Sequence, residues 1–248
     1  MTLLNQSVAS FASVASFASF ARIAPVAASV VLGFALHTSP ARADDTYALD
    51  EVSREIPARG PVRCPAMPLT DYSGSALRFH APARVHPAFV AKLRGLEDAA
   101  RAVAIEVYGR PPIRMHHLGT FNCRRIPAYP HLVSEHGLGN AIDVDAFSFG
   151  ALPPGAALPA GAPRALRGAF DVSVAAHFGA VGAARGRESP VRALHRRFLH
   201  RLALRLARDT SLFRVVLGPG YPGHADHFHL DMASYRLVVV DASAEAAR

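Results

Sequence analysis

The stretch 140–149 constrains the fold most, because apolar and polar residues alternate along it (NAIDVDAFSF). A period of two is typical of a β-strand whose side chains point alternately to its two faces, one of them in the core. Asp143 lies on this predicted strand. The chain therefore needs at least one sheet that buries apolar side chains and carries an acidic one.

Two longer segments repeat their apolar residues at the three- and four-residue intervals of a helix. The first is predicted from Pro87, which suits a first helical turn, to Tyr108, with Gly109 ending it. The second is predicted from Pro190 to Arg208. Its arginines indicate a solvated face rather than a binding site. Its inner stripe is Val191, Leu194, Phe198, Leu202 and Leu206.

Further strands are predicted at 113–121, 213–217, 227–232 and 235–240. The stretch 150–161, rich in Ala, Pro and Gly, is predicted to be a surface loop. Helices and strands are mixed without the regular alternation of a parallel α/β protein. The sequence therefore predicts a single α+β domain with a mainly antiparallel sheet flanked by helices.

The first 43 residues have the composition of an export signal. They contain no Asp or Glu, and an apolar run at 23–36 precedes the small-x-small triplet Ala41-Arg42-Ala43. We therefore predict a signal peptide, residues 1–43, cleaved before Asp44, and a periplasmic or secreted protein. The alternative is a membrane anchor, but the apolar run is shorter than the roughly 20 residues that span a bilayer. No other segment is long and apolar enough to span a membrane.

The mature chain is predicted to begin with an irregular, proline-rich lead-in, residues 44–86, followed by the main domain, residues 87–248. Cys64 and Cys123 are the only two cysteines. In an oxidising compartment two thiols in one domain usually pair, although two separate buried thiols are the alternative. Neither belongs to a C-x-x-C motif, which argues against a cysteine zinc site.

The formal net charge is +8, and removal of the two arginines of residues 1–43 would leave 8 − 2 = +6. Such a charge would attract an exported protein to anionic groups of the envelope. Nearly all of this charge is arginine, with Lys92 the only lysine, which indicates biased composition instead. Basic and aromatic residues are not interleaved in the pattern that is typical of nucleic-acid-binding surfaces. We therefore expect no nucleic-acid partner.

Histidines and an aspartate supply the candidate chemistry. His227 and His229 lie two apart on a predicted strand, so both can face one cleft, and His224 approaches from the preceding turn. His136 lies in a glycine-containing loop just before the strand of Asp143. Two imidazoles and one carboxylate are a common ligand set for a catalytic zinc, which keeps its fourth position for water.

The pattern Ser134-x-His136-x-x-Gly139-x-Ala141-x-Asp143, followed by His227-x-His229, resembles the D-alanyl-D-alanine metallopeptidase and hedgehog superfamily. More narrowly, the chain is similar to the bacterial extensin-like C-terminal domain family. The similarity extends over about residues 64–233. The segments that carry it are Cys123-Arg124, Ser134-Glu135-His136, Gly139-Asn140-Ala141-Ile142-Asp143, Phe198-Leu199, Val216-Leu217-Gly218-Pro219 and residues 224–231 (HADHFHLD).

The resemblance implies a hedgehog/DD-peptidase-like fold and one Zn²⁺ per chain, with His136, Asp143 and His229 as its ligands. It implies that His227 acts as the general base or stabilises the tetrahedral intermediate. His224 matches a further active-site imidazole of penicillin-insensitive murein endopeptidases, and Arg124 matches an arginine that faces the substrate. Ser134 is expected to order the loop through its hydroxyl rather than to act as a nucleophile.

Together these features predict an exported zinc metallopeptidase, either an endopeptidase or a carboxypeptidase. It would hydrolyse amide bonds in peptidoglycan stem peptides or cross-links, with zinc activating water and His227 handling the proton. The alternative is a zinc-stabilised module that binds the cell wall without hydrolysing it. Its partners in either case would be peptidoglycan peptides.

Overall fold

The computed structural model describes residues 46–179 and 188–242. The predicted signal peptide, residues 1–43, lies outside this part of the chain. Within the described ranges, no helix combines the length and the apolar character that a membrane span requires. The described residues belong to one compact unit of α+β type.

Three helices and eleven strands are found among the described residues. The helices are α1 (Pro87–Tyr108), α2 (Val174–His177) and α3 (Pro190–Arg208), and two 3-10 turns span Glu135–Leu138 and Arg164–Arg167. The strands are β1 (Thr70–Tyr72), β2 (Arg78–Phe79), β3 (Ala83–Val85), β4 (Arg114–Gly119), β5 (Arg125–Ile126), β6 (Tyr129–Val133), β7 (Ala141–Phe149), β8 (Phe170–Ser173), β9 (Val215–Leu217), β10 (Phe228–Asp231) and β11 (Leu237–Val239).

Both long helices have the bounds predicted from the sequence, because local signals set them. Pro87 opens α1, where the side chain of His86 accepts a hydrogen bond from the N–H of Ala88. Gly109 ends it in the left-handed region at φ 69°, and its N–H donates to Ile105. Ser189 caps α3 by accepting a hydrogen bond from the N–H of Arg192.

The main sheet has seven strands in the order β11-β9-β10-β7-β4-β2, with β8 also paired to β7. The first half of β7 pairs with β10 and the second half with β8, while β4 runs along its other side. These pairings and β9–β10 are antiparallel, and only the outer pairs β2–β4 and β9–β11 are parallel. The predicted, mainly antiparallel sheet is confirmed.

One face of the sheet packs against α1 and α3 and forms the core. Ile142 and Val144 of β7 are buried in this core, and the ring of Phe147 packs edge-on against Phe198 of α3 at 5.3 Å between centroids. The opposite face of β7 is only half-buried and carries Asp143 and Asp145. The helices therefore cover one side of the sheet, and the acidic residues of β7 lie on the other.

The segment 44–86, expected to be irregular, contains three short strands. β1 pairs with β3, and β2 joins the edge of the main sheet beside β4. Strands of two or three residues are too short to show an alternating pattern, so the sequence does not reveal them. Leu77, Ala83 and Val85 from this segment are part of the core.

Cys64 and Cys123 form a disulfide, with 5.8 Å between their Cα atoms, as predicted. It joins the 44–86 segment to the chain just before β5. A disulfide is typical of proteins that mature in oxidising compartments, and it fits a periplasmic or extracellular protein.

Candidate metal centre

A tight turn brings His136 to the sheet. Residues 135–138 form a 3-10 turn, and Gly139 follows in the left-handed region at φ 64°. A Cβ at Gly139 would lie 2.8 Å from the backbone nitrogen of His86 and 2.5 Å from the side chain of Leu69. Only glycine fits this conformation and this close approach. The chain can therefore leave the turn and enter β7 at once, with His136 beside the start of the strand.

The register of β10 on β7 places the second histidine. His229 is the direct cross-strand partner of Asp143, so the two side chains lie on the same face of the sheet. A shift of one residue would turn His229 to the other face. This strand pairing joins parts of the chain that are 86 residues apart.

The structure brings together the three residues that the sequence predicts as metal ligands. The distances are 2.8 Å from His229 Nδ1 to Asp143 Oδ1, 3.2 Å from His136 Nε2 to Asp143 Oδ2, and 3.1 Å between the two ring nitrogens. All three candidate ligand atoms lie within 4.8 Å of one another. His136 and His229 are buried, and Asp143 is half-buried.

In each histidine, the hydrogen bond of one ring nitrogen shows that the other nitrogen is available to bind a metal ion. His136 Nδ1 lies 2.9 Å from the carbonyl oxygen of Thr120, so this nitrogen carries the proton and donates it. His229 Nε2 lies 2.7 Å from Asp231 Oδ2 and likewise donates to it. In the neutral rings, His136 Nε2 and His229 Nδ1 therefore both present lone pairs to the same point. Metal-binding histidines are usually held this way, with the other nitrogen on a carbonyl or carboxylate.

The electrostatics of the cluster favour positive charge at this point. Burial alone would raise the pKa of Asp143, but hydrogen bonds to His136 and His229 outweigh burial and hold this pKa far below its usual range. Burial alone would lower the pKa of His229, but hydrogen bonds to Asp143 and Asp231 outweigh it and raise the pKa to about 9. The cluster therefore favours a positive charge at this point, and a divalent ion would supply this charge as it displaces the proton of His229.

Two more histidines, His227 and His224, lie next to the cluster. His227 Nδ1 bonds to Asp226 at 2.8 Å, and its Nε2 lies 3.7 Å from Asp143 Oδ1. The ring centroid of His224 is 4.8 Å from that of His227 and 5.7 Å from that of His229. His224 Nδ1 donates to the carbonyl of Pro222, and burial lowers the pKa of this histidine. Both rings thus keep Nε2 available next to the candidate metal ligands.

Arg124 and Ser134 lie on the segments next to the turn. The N–H of Ser134 donates to the carbonyl of Arg124 at 3.0 Å. The guanidinium of Arg124 makes no hydrogen bond or ion pair within residues 46–179 and 188–242, so its contact with substrate stays a prediction. Ser134 orders the turn through its carbonyl, which accepts from the N–H of Gly137 at 2.7 Å. Its hydroxyl does not cap the turn, contrary to expectation.

A buried polar network behind His136 was not predicted from the sequence. Arg54 pairs with Glu135 at 2.8 Å, and Asn140 donates to the same carboxylate at 2.5 Å. The hydroxyl of Tyr47 donates to the side-chain oxygen of Asn140. Asp231, the partner of His229, was also assigned no role. The sequence signal for Asp231 is its place two residues after His229 on one strand, whereas no signal links Arg54 to Glu135.

The cluster can hold a metal ion. Its three ligand atoms come from two imidazoles and one carboxylate, each ring is oriented by a second protein acceptor, and the pocket favours positive charge. This is the ligand chemistry of three-ligand sites for divalent transition metals.

Comparison with protein families finds a match to extensin-like protein C-terminus over residues 45–151. The matched span contains His136 and Asp143, whereas His229 lies beyond it and reaches the site through the β7–β10 pairing. Neither the curated proteins nor the solved structures gave a match to this chain. Over residues 45–151, the chain is therefore similar to the family of extensin-like protein C-terminal domains.

Proposed function

We propose that this protein is an exported zinc-dependent peptidase that hydrolyses amide bonds in peptidoglycan stem peptides or their cross-links. The observation that carries the proposal is the convergence of the lone pairs of His136 and His229 on Asp143, with His227 beside them. The substrate class rests on the resemblance to the D-alanyl-D-alanine metallopeptidase superfamily and on the predicted export signal.

His136 Nε2, His229 Nδ1 and an oxygen of Asp143 would hold the ion. When bound there, zinc would supply a water with a pKa near neutrality and would polarise the scissile carbonyl. The two rings are preset for this task, because Thr120 and Asp231 fix the proton of each on the opposite nitrogen.

His227 is placed to move the proton. Its Nδ1 is held by Asp226, and its Nε2 faces the cluster, so it can take a proton at Nε2 and return it to the leaving amine. The hydrogen bond from His227 lowers the pKa of Asp226, so this carboxylate remains ionised. Its negative charge stabilises the imidazolium that His227 forms when it takes the proton. His224, with its Nδ1 bonded to the carbonyl of Pro222, offers Nε2 as an acceptor to the substrate. Arg124 would bind a substrate carboxylate or the oxyanion.

The number of candidate ligands favours an enzyme over a wall-binding module. Structural zinc sites are usually closed by four protein ligands, whereas catalytic sites keep three and leave one position for water. His136, Asp143 and His229 form a three-residue group, and His227 is not part of it. A site that only stabilises the fold would also not need the His227–Asp226 pair, because neither residue is a candidate ligand.

Digestion of purified sacculi tests this function. Zinc-loaded protein, purified without a histidine tag, should release muropeptides whose masses identify the cleaved bond. His136→Ala should lose both the metal and the activity. His227→Ala should keep about one zinc per chain and lose turnover by roughly 10²- to 10⁴-fold, as expected for a general base.

An unchanged muropeptide profile with fully zinc-loaded protein would contradict hydrolysis. Sedimentation with the sacculi would then separate the two remaining cases. Binding without product release would favour the cell-wall-binding module.

A further inference from the structure

A second, smaller hydrophobic cluster lies on the face of the sheet that carries the candidate metal ligands. We call it the apolar strip, and it consists of three buried residues and three half-buried residues packed against them: Val215, Leu217, Ala233, Tyr221, Leu237 and Val239. The residues between them on the same strands, Val216 of β9 and Val238 of β11, face the main core instead. The strip is therefore separate from the core beneath the helices.

Strand register continues the row of candidate ligands into the strip. His229 of β10 pairs with Asp143 on one side and with Leu217 of β9 on the other, and Leu217 pairs in turn with Val239 of β11. Direct cross-strand partners lie on the same face of a sheet. Because neighbouring strands are about 4.8 Å apart, the backbones of Leu217 and Val239 lie about 5 Å and about 10 Å from that of His229.

Tyr221 joins the strip to the metal centre. It lies in the turn between β9 and β10, where its N–H donates to the carbonyl of Gly218 at 3.0 Å. Its ring centroid is 5.2 Å from that of His224, which is 5.7 Å from that of His229. Ring contacts therefore lead without a break from the strip to a candidate metal ligand.

The opposite side of the metal centre is open. Gly119 of β4 is the other cross-strand partner of Asp143. A Cβ added at Gly119 would meet no atom of the described chain within 4 Å, apart from its sequence neighbours. A bound peptide could therefore pass over Gly119, cross the metal centre and continue onto the apolar strip.

The chemistry of the strip favours an uncharged occupant. None of its six members carries a charge, and Leu237 and Val239 are aliphatic side chains left half-buried on the edge strand β11. An aliphatic group placed on them would be favoured by the apolar area removed from water. A charged group would lose its hydration there without gaining a partner from the strip.

We propose that the apolar strip is a specificity site that receives an aliphatic side chain of the substrate peptide. The assignment rests on the proposed peptidase function and names a feature of its substrate. An extended peptide advances about 3.3–3.6 Å per residue, so the side chain would belong to a residue about one to three positions from the scissile amide. In a peptidoglycan stem peptide this residue would be an alanine.

Alkyl hydroxamates test the strip with the zinc-loaded full chain, because the hydroxamate group binds zinc and the alkyl chain extends from it. In a series from acetyl to octanoyl, affinity should increase about two- to fourfold for each methylene that reaches the strip. Calorimetry measures these affinities without any cleavage.

Substitutions on the two faces of β11 locate the effect. Val239→Thr keeps the branched shape but adds a hydroxyl, so it should weaken octanoyl binding about three- to tenfold and leave acetyl binding unchanged. Val238→Thr is the matched control, since it makes the same change on the opposite face and should leave both affinities unchanged. Tyr221→Ser is a second variant of the strip and should also weaken octanoyl binding. The zinc content of each variant shows whether its metal centre is intact.

Affinities that do not depend on chain length in the wild type, or octanoyl binding that Val239→Thr and Tyr221→Ser both leave unchanged, would overturn the apolar site. The peptidase function would then still stand, because digestion of sacculi tests it separately. A wild-type protein that binds no zinc would overturn both proposals.

Stem peptides test the occupant. Replacing alanine by glycine within about three residues of the cleaved bond should lower kcat/KM about fourfold at one position, the value of one buried methyl group. Val239→Thr should reduce this difference, whereas Val238→Thr should preserve it. A difference that Val239→Thr leaves unchanged at every alanine would overturn the assignment of the strip to the substrate.

Discussion

The proton positions on two histidine rings decide what the cluster can bind. Because His136 and His229 each donate from one nitrogen to a protein acceptor, each offers the other nitrogen to the same point. The acceptor of His229 is Asp231, which is 3 % exposed and also accepts from the N–H of Ala233 at 2.8 Å. A charged second partner of this kind makes the imidazole a stronger ligand.

We expect Asp231→Asn to weaken zinc binding about 10- to 100-fold, the usual effect of removing such a partner. The amide removes the negative charge that holds the proton on His229 Nε2. Competition between the protein and a chromophoric chelator measures the affinity. Asp226→Asn is the matched control, because Asp226 is exposed and contacts His227 rather than a candidate ligand. Equal zinc affinities in Asp231→Asn and the wild type would show that Asp231 does not tune the site.

At the scale of elements, strand register and helix packing serve different purposes. The β7–β10 register sets His229 opposite Asp143, while α1 and α3 cover the other face of the sheet. The two helices also meet through a buried polar contact, in which Tyr108 of α1 lies 3.0 Å from His195 Nδ1 of α3. His195 is 4 % exposed, so its ionisation is coupled to the packing of the helices.

This contact predicts a pH dependence of stability. Burial, with a smaller effect of His177, lowers the pKa of His195 from 6.5 to about 4 in the folded protein. Between these values His195 binds more protons in the unfolded chain than in the folded one. Its contribution to stability is therefore constant above about pH 6.5 and falls as the pH decreases towards 4. From pH 7 to pH 5, this one residue should contribute a loss of about 2 kcal/mol.

Urea unfolding of the wild type and of His195→Gln at both pH values isolates this contribution. Glutamine can keep a hydrogen bond to Tyr108 but does not titrate. The wild type should therefore lose about 2 kcal/mol more than the variant between pH 7 and pH 5. His131→Gln, at an exposed position, should behave like the wild type. Parallel pH profiles for the wild type and His195→Gln would refute the coupling.

At the scale of the whole molecule, the 44–86 segment is tied to the metal centre by covalent and polar contacts. Arg54 reaches Glu135, the residue before His136. The disulfide packs against the same turn, since a Cβ at Gly137 would lie 2.7 Å from Cys64 Sγ. The segment therefore supports the geometry of the turn as well as covering the core.

Replacing both cysteines by serine should destabilise the fold by about 4 kcal/mol, the loop-closure value for cysteines 59 residues apart. Because Cys64 contacts the turn of His136, zinc affinity should fall as well. Denaturant unfolding and zinc titration measure the two effects. Wild-type protein reduced with dithiothreitol provides the comparison, since it loses the bond without a change of residue. An unchanged unfolding midpoint in both forms would exclude a stabilising role for the disulfide.

The sequence by itself determined the elements whose signals are local. The bounds of α1 and α3 follow from Pro87, Gly109 and Pro190 together with apolar spacing, and β7 follows from its alternation. His136, Asp143 and His229 could be chosen because their pattern resembles a known superfamily. Periodicity and caps are contained within a few consecutive residues, so they can be read without knowledge of the fold.

Only the tertiary structure decided which distant groups meet. The β7–β10 register, the partners Thr120 and Asp231, and the Arg54–Glu135 pair join residues that no local pattern connects. The two-residue strands β2 and β5 also escaped prediction, because two residues are too few to show a period. These features are fixed by packing and by the need to satisfy buried polar groups, and both depend on the whole chain at once.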